Sequence, residues 1–224
     1  MDAESLPTIE LGAADAEASV ILLHGLGADG HDFAPIVPEL GLGDKVRFVF
    51  PHAPHRPVTI NGGYVMRAWY DLTGTSFDAH EDEAGIRASS QQVEALIARE
   101  VERGVPAARI VLAGFSQGGA IALHAGLRHR QALAGILALS TYLPLRARLV
   151  AEASAAGREI PILMCHGTED PIVPLALGEG SARLLREAGY SVEWRTYPMP
   201  HSVCPEEIAD IAGWLAGVLT RGGA

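Results

Sequence analysis

The chain has 224 residues, of which 48% are hydrophobic and 20% charged, and a formal net charge of -10. That length suits one α/β domain spanning residues 1–224, with a core large enough to need no disulfide or metal staple, and the mixture argues against disorder. The acidity excludes nucleic acid as a partner, because phosphate contacts need a basic face, and it offers no electrostatic hold on an anionic membrane.

The N-terminal MDAESLPTIE is acidic and has no apolar stretch, so it does not read as a signal peptide. No window approaches the roughly 20 apolar residues of a membrane helix. Two cysteines, Cys165 and Cys204, do not make a disulfide framework, and Cys165 in the run ILMC reads as a buried, inert thiol. These features predict a soluble, cytoplasmic protein without membrane insertion.

Strand-like and helix-like segments then alternate along the chain. Residues 19–24 (SVILLH), 46–50 (VRFVF), 109–115 (RIVLAGF), 133–139 (LAGILAL), 160–166 (IPILMCH) and 192–197 (VEWRTY) read as strands. Several are apolar on both faces, as in the centre of a parallel sheet covered on both sides. Helices are predicted over 81–103, 117–130, 174–188 and 205–220. In the first of them Ile86, Val93, Leu96, Ile97 and Val101 recur near helical spacing, with Gly104 as the stop and Pro106 beyond it. The alternation predicts an α/β fold with a mostly parallel central sheet and helices on both faces, and the serine motif described next makes it an α/β-hydrolase fold. Residues 51–80 break the pattern. That segment carries Pro54, Pro57, Gly62 and Gly63 near its middle, then Trp69, Tyr70 and Phe77, and reads as a substrate-facing flap, with a packed surface hairpin as the alternative.

The chemistry begins at Gly114-Phe115-Ser116-Gln117-Gly118-Gly119. Strand, then G-x-S-x-G, then helix is the context in which a serine becomes an exposed nucleophile on a sharp turn. The helix N-terminus behind it favours developing negative charge. A serine needs a base, and the base needs an acid to hold its tautomer, in the chain order Ser, Asp or Glu, His. Among the histidines after Ser116, His124 and His129 ride on the helix leading away from it. His166 ends a strand beside Gly167, and His201 follows the last strand, where an α/β sheet presents ligand-facing residues. His201 is the choice. Asp170, before Pro171 in the loop after the 160–166 strand, is favoured over its neighbour Glu169 as the acid. The glycine-rich loop His24-Gly25-Leu26-Gly27 supplies one oxyanion N–H at Leu26, and Gln117 supplies the other. This loop has neither glycine-rich nucleotide-binding pattern.

Taken in order, His24-Gly25-Leu26-Gly27-Ala28-Asp29-Gly30, the stretch from Ala53-Pro54-His55-Arg56-Pro57 through Asn61-Gly62-Gly63 to Arg67-Ala68-Trp69-Tyr70-Asp71, the GFSQGG turn, His166-Gly167 with Asp170 and Pro174, and His201 before a helix resemble the phospholipase/carboxylesterase family. That family includes bacterial short-chain carboxylesterases and acyl-protein thioesterases. Ile172-Val173 stands where relatives often carry two valines. The resemblance implies the same triad, Ser116, Asp170 and His201, and the same donors, Leu26 and Gln117. It further implies an acyl pocket near Trp69 with Leu72, Leu143 and Val173 as walls, no metal or organic cofactor, and a homodimer as a frequent assembly. The expected activity is hydrolysis of short- to medium-chain carboxylic esters through an acyl-enzyme. The alternatives are a thioesterase acting on acylated proteins, a lysophospholipase, and a non-catalytic binding module on the same fold.

Overall fold

The computed structural model describes residues 6–74 and 81–221. Seven strands form the main sheet: β1 (Thr8–Leu11), β2 (Ala18–Leu23), β3 (Val46–Pro51), β6 (Ile110–Phe115), β7 (Gly135–Leu139), β8 (Ile162–Gly167) and β9 (Val192–Tyr197), while β4 (His55–Val58) and β5 (Tyr64–Arg67) pair separately as an antiparallel hairpin. The order across the sheet is β1-β3-β2-β6-β7-β8-β9. Only β1 runs antiparallel, on β3; the other neighbours are parallel. The predicted strands are all present. β1 was not anticipated, because a four-residue edge strand with one face in solvent carries little apolar signal.

Alternation along each strand divides the core into two layers. From β2, Ile21 and Leu23 point to one face and Val20 and Leu22 to the other. The first face packs under α2 (Glu83–Glu102), α3 (Gln117–Gly126) and α5 (Leu175–Glu187), and the second under α1 (Val37–Leu40) and α6 (Pro205–Arg221). A further short helix, α4 (Leu149–Glu152), follows β7. Each fully buried leucine or isoleucine contributes about 1.5–3 kcal/mol to this sandwich.

α2 starts at an Asp82 cap, whose side chain accepts the Gly85 N–H at 2.8 Å, and ends at Gly104 in the left-handed region (φ 96°), where the Val105 N–H closes on the Glu100 carbonyl at 3.0 Å. Its buried stripe ends on Glu100 rather than on the predicted Val101, which is exposed. Glu100 receives Arg47 Nε from β3 at 2.9 Å, and both side chains are buried. α3 stops four residues short of its predicted end, and His129 in the following turn bonds Glu94 at 2.7 Å.

Within the 51–80 segment, the described residues 51–74 include the β4–β5 hairpin and an inward-turned stretch after it. Residues 75–80, including Phe77, lie outside the described residues. The β4–β5 hairpin leaves Tyr64 and Val65 exposed, whereas Trp69 and Tyr70 turn inward and are buried.

Candidate active site

Ser116 joins β6 to α3 with φ 53° and ψ -120°, a conformation that costs a non-glycine residue about 1–3 kcal/mol. The turn survives because the residues two positions to either side, Gly114 and Gly118, lack side chains. A Cβ on Gly114 would stand 2.3 Å from the Gly118 carbonyl oxygen, and one on Gly118 would stand 2.2 Å from the Leu23 carbonyl oxygen. The Ser116 N–H donates to the Leu139 carbonyl at 2.9 Å and its carbonyl accepts from Thr141 Oγ1 at 2.7 Å, so the end of β7 and the residues just after it grip the elbow from the side.

His201 lies in the loop between β9 and α6. Its ring packs on Phe115, the residue before Ser116, with centroids 4.7 Å apart. His201 Nδ1–H donates to Asp170 Oδ2 at 2.6 Å, which leaves Nε2 with the lone pair a base requires. The other carboxylate oxygen, Asp170 Oδ1, accepts the N–H groups of Ile172 at 2.8 Å and Val173 at 2.9 Å, so its direction is fixed by its own loop. Asp170 is buried and Glu169 is exposed, which separates the two candidate acids.

His166 is buried beside this pair. Its Nε2–H donates to the Val173 carbonyl at 2.8 Å and stands 3.5 Å from Asp170 Oδ2; burial holds its pKa below the ordinary histidine value. It therefore braces the acid loop as a neutral ring. His124 is buried in α3, where desolvation pushes its pKa down to about 3.

The donor loop after β2 is held at both ends. The Ala53 N–H donates to His24 Nε2 at 3.0 Å, so the ring proton is on Nδ1 and donates to the Gly25 carbonyl at 2.7 Å. Burial pushes the His24 pKa down to about 4 and keeps it neutral. The Gly27 N–H donates to the Arg67 carbonyl at 2.9 Å. Leu26 lies between these ties. Gln117 is the first residue of α3, so its N–H has no intrahelical acceptor.

A cavity of about 470 Å³ opens onto Ser116. Leu26, Gln117, Leu72 and Val173 line it, together with Tyr70 and Tyr142, whose hydroxyls are 2.8 Å apart. Ile60 and Ile172 form an exposed apolar rim. Trp69, expected near the acyl pocket, and Leu143, expected on its wall, do not line the cavity. Trp69 is fully buried behind the donor loop, with its indole N–H on the His24 carbonyl at 2.9 Å. Leu143 belongs to the core, with its N–H on Ser181 Oγ at 2.9 Å. Tyr142 and the Gln117 side chain were not anticipated. Tyr142's position just past the end of β7 was the available signal.

A model of the phospholipase/carboxylesterase family matches residues 5–219. The chain belongs to this family. It is 41% identical over 220 residues to the acyl-protein thioesterase 1 of Gibberella zeae, covering 93% of this chain and 94% of that one. To the protein of the same name from Neurospora crassa it is 43% identical over 227 residues, covering 96% and 92%. Among solved structures, Arabidopsis thaliana SOBER1 superposes with a TM-score of 0.86 at 31% identity, covering 91% of this chain and 100% of that one. Esterase PE8 superposes with a TM-score of 0.82 at 27% identity, covering 96% and 100%. As a member of the family, the chain is an α/β-hydrolase enzyme of the carboxylesterase and thioesterase type. Among the described residues no helix is long and apolar enough to cross a membrane, no group of three or more His, Cys, Asp or Glu side chains is placed to hold a metal ion, and both cysteines are free thiols.

Proposed function

We propose that this family member hydrolyses short- to medium-chain carboxylic esters through an acyl-enzyme on Ser116. The observation that carries the reading is a strained serine at the wall of an apolar cavity, with a histidine packed on its neighbour Phe115 and bonded to a buried carboxylate at 2.6 Å. His201 Nε2 takes the Ser116 proton as Oγ attacks the carbonyl carbon. The N–H groups of Leu26 and Gln117 stabilise the tetrahedral oxyanion, each worth about 3–4 kcal/mol to the transition state. His201 then protonates the departing alkoxide, and the C–O bond breaks. Water then enters where the alcohol left; His201 takes its proton as it attacks the acyl carbon and returns that proton to Ser116 Oγ as the acyl C–O bond breaks, releasing the acid and free Ser116. Leu72 and Val173 hold the acyl chain.

A second reading, hydrolysis of the thioester of an acylated protein, is favoured by the names of the relatives at 41–43% identity and by the exposed apolar rim at Ile60 and Ile172. The same serine serves both leaving groups. The test is labelling with a fluorophosphonate, followed by a panel of p-nitrophenyl esters of rising chain length, an S-acyl peptide and a lysophospholipid. Label at Ser116 that disappears in Ser116→Ala supports the nucleophile, and label that survives refutes it. The ratio of kcat/KM between ester and thioester decides between the two readings.

A further inference from the structure

We infer that Trp69 is a positioning residue that sets the separation of the two oxyanion donors, an inference that rests on the reading of Ser116 as nucleophile. The donors come from different strands. β2 and β6 are paired as far as Leu23 and Gly114, and beyond that point the two chains part. Leu26 lies on one branch and Gln117 on the other. Trp69 is hydrogen-bonded to both. Its indole Nε1–H donates to the His24 carbonyl at 2.9 Å, two residues before Leu26. Its backbone N–H donates to Gln117 Oε1 at 2.8 Å, on the side chain of the second donor residue. Gln117 completes the clamp by donating from Nε2 to the Tyr70 carbonyl at 2.8 Å.

Nothing around Trp69 is loose. Its own carbonyl accepts from Ser89 Oγ of α2, its ring packs against the His24 imidazole with centroids 5.3 Å apart, and it is fully buried. Each polar group of the residue therefore ends on a separate element: the donor loop, the elbow and α2. A fully buried indole N–H without a partner is destabilising, so the His24 carbonyl and Trp69 hold one another in a single arrangement. An oxyanion hole works by having its donors in place before charge develops, and displacements on the order of 1 Å carry penalties of about 100-fold. A residue bonded to both branches, by its indole N–H to one and by its backbone N–H to the other, is the means of holding that spacing. The same bonds explain why Trp69 is absent from the cavity wall.

The test replaces the indole N–H while keeping the ring. Trp69→β-(3-benzothienyl)alanine, introduced at that codon, substitutes sulfur for N–H at nearly the same volume; Trp69→Phe removes the N–H and part of the ring. The readouts are kcat and KM on a p-nitrophenyl ester, the affinity for phenylboronic acid, which forms a tetrahedral adduct on Ser116 Oγ, and the melting temperature. The benzothienyl variant is expected to melt as a folded protein, to lose about 10- to 100-fold in kcat with KM unchanged, and to bind the boronic acid more weakly by the same factor as kcat/KM. If kcat is retained, or KM and chain-length preference change instead, Trp69 acts as a pocket wall and the inference falls. It falls equally if kcat drops while boronate affinity does not. Failure of the underlying reading looks different: the unmodified protein would take no fluorophosphonate at Ser116.

Discussion

Glu207 provides a test of the fold's electrostatics that can be worked through to a number. It lies in the first turn of α6, just after the His201 loop, and is fully buried. No well-formed hydrogen bond reaches either carboxyl oxygen among the described residues. Its pKa is pushed up from the ordinary 4.5 to about 8, first by burial and further by the charge of Asp210, with the Cys204 N–H offsetting only part. Below pH 4.5 the side chain is protonated in both the folded and the unfolded chain, and its ionisation has no effect on stability. As pH rises above 4.5 the unfolded chain releases the proton and the folded chain keeps it, so stability falls until the folded carboxyl ionises at about 8. At pH 7 the loss amounts to about 2.5 pH units at about 1.4 kcal/mol each, or about 3 kcal/mol, and near pH 8 it approaches about 5 kcal/mol. Against a total stability of about 5–15 kcal/mol this is a large fraction. Glu207→Gln keeps the shape of the protonated acid and cannot ionise. The variant is expected to match the parent near pH 4.5 and to melt about 6–12 °C higher at pH 7. Thermal melts from pH 4.5 to 9 measure the gap. A gap that is the same at every pH, or a variant less stable than the parent at pH 8, would show that the carboxylate is charged and partnered in the fold, and the argument would fail.

Other perturbations address the site and the core. Asp170→Asn can still accept the Ile172 and Val173 N–H groups through its amide oxygen, so the loop should persist while its NH2 faces His201 and imposes the wrong tautomer; kcat is expected to fall about 10⁴-fold with the melting temperature little changed. A parent-like kcat would remove Asp170 from the mechanism. Gly118→Ala drives a Cβ to 2.2 Å from the Leu23 carbonyl oxygen and 2.5 Å from that of His24, both backbone atoms at the root of the donor loop. Loss of soluble protein or of nearly all turnover is expected, and parent-like turnover on an ester substrate would contradict the described elbow. Glu100→Ala leaves buried Arg47 without its carboxylate and should reduce stability by about 3–5 kcal/mol in denaturant titration, whereas a loss below about 1 kcal/mol would mean that the Ala13 and Ala14 carbonyls suffice to hold the guanidinium.

The parts of the molecule legible from residues alone are those where one physical requirement dominates. Strands β2, β6, β7 and β8 are buried on both faces, so their continuous apolar runs stand out. β1 is half exposed and short, and its pairing with β3 depends on an edge that no local pattern describes. α2 was legible in its periodicity and its stop, yet its stripe was misjudged by one position, because the burial of Glu100 depends on ion pairs to Arg103 and to Arg47, the latter 53 residues away.

The site divides along the same line. Chain order and position after strands single out Ser116, Asp170 and His201, and the structure brings them to one end of the sheet. Trp69 misled for a definable reason. A large aromatic in a loop near a glycine-rich site fits a pocket wall and a buried brace equally well, and the two differ only in which way the ring turns from the backbone. That direction is decided by the His24 carbonyl, the Gln117 amide and Ser89, which lie 45, 48 and 20 residues away. Tyr70, one residue on, turns to the cavity and meets Tyr142. Neighbouring side chains thus part, one to the His24 carbonyl and the other to the cavity. A substitution at position 70 is therefore expected to change which acyl chains are accepted, and one at position 69 how fast any of them reacts. A chain-length series measured on both variants separates the effects, because selectivity for acyl length resides in KM and kcat/KM ratios, whereas donor spacing lowers kcat for every substrate alike.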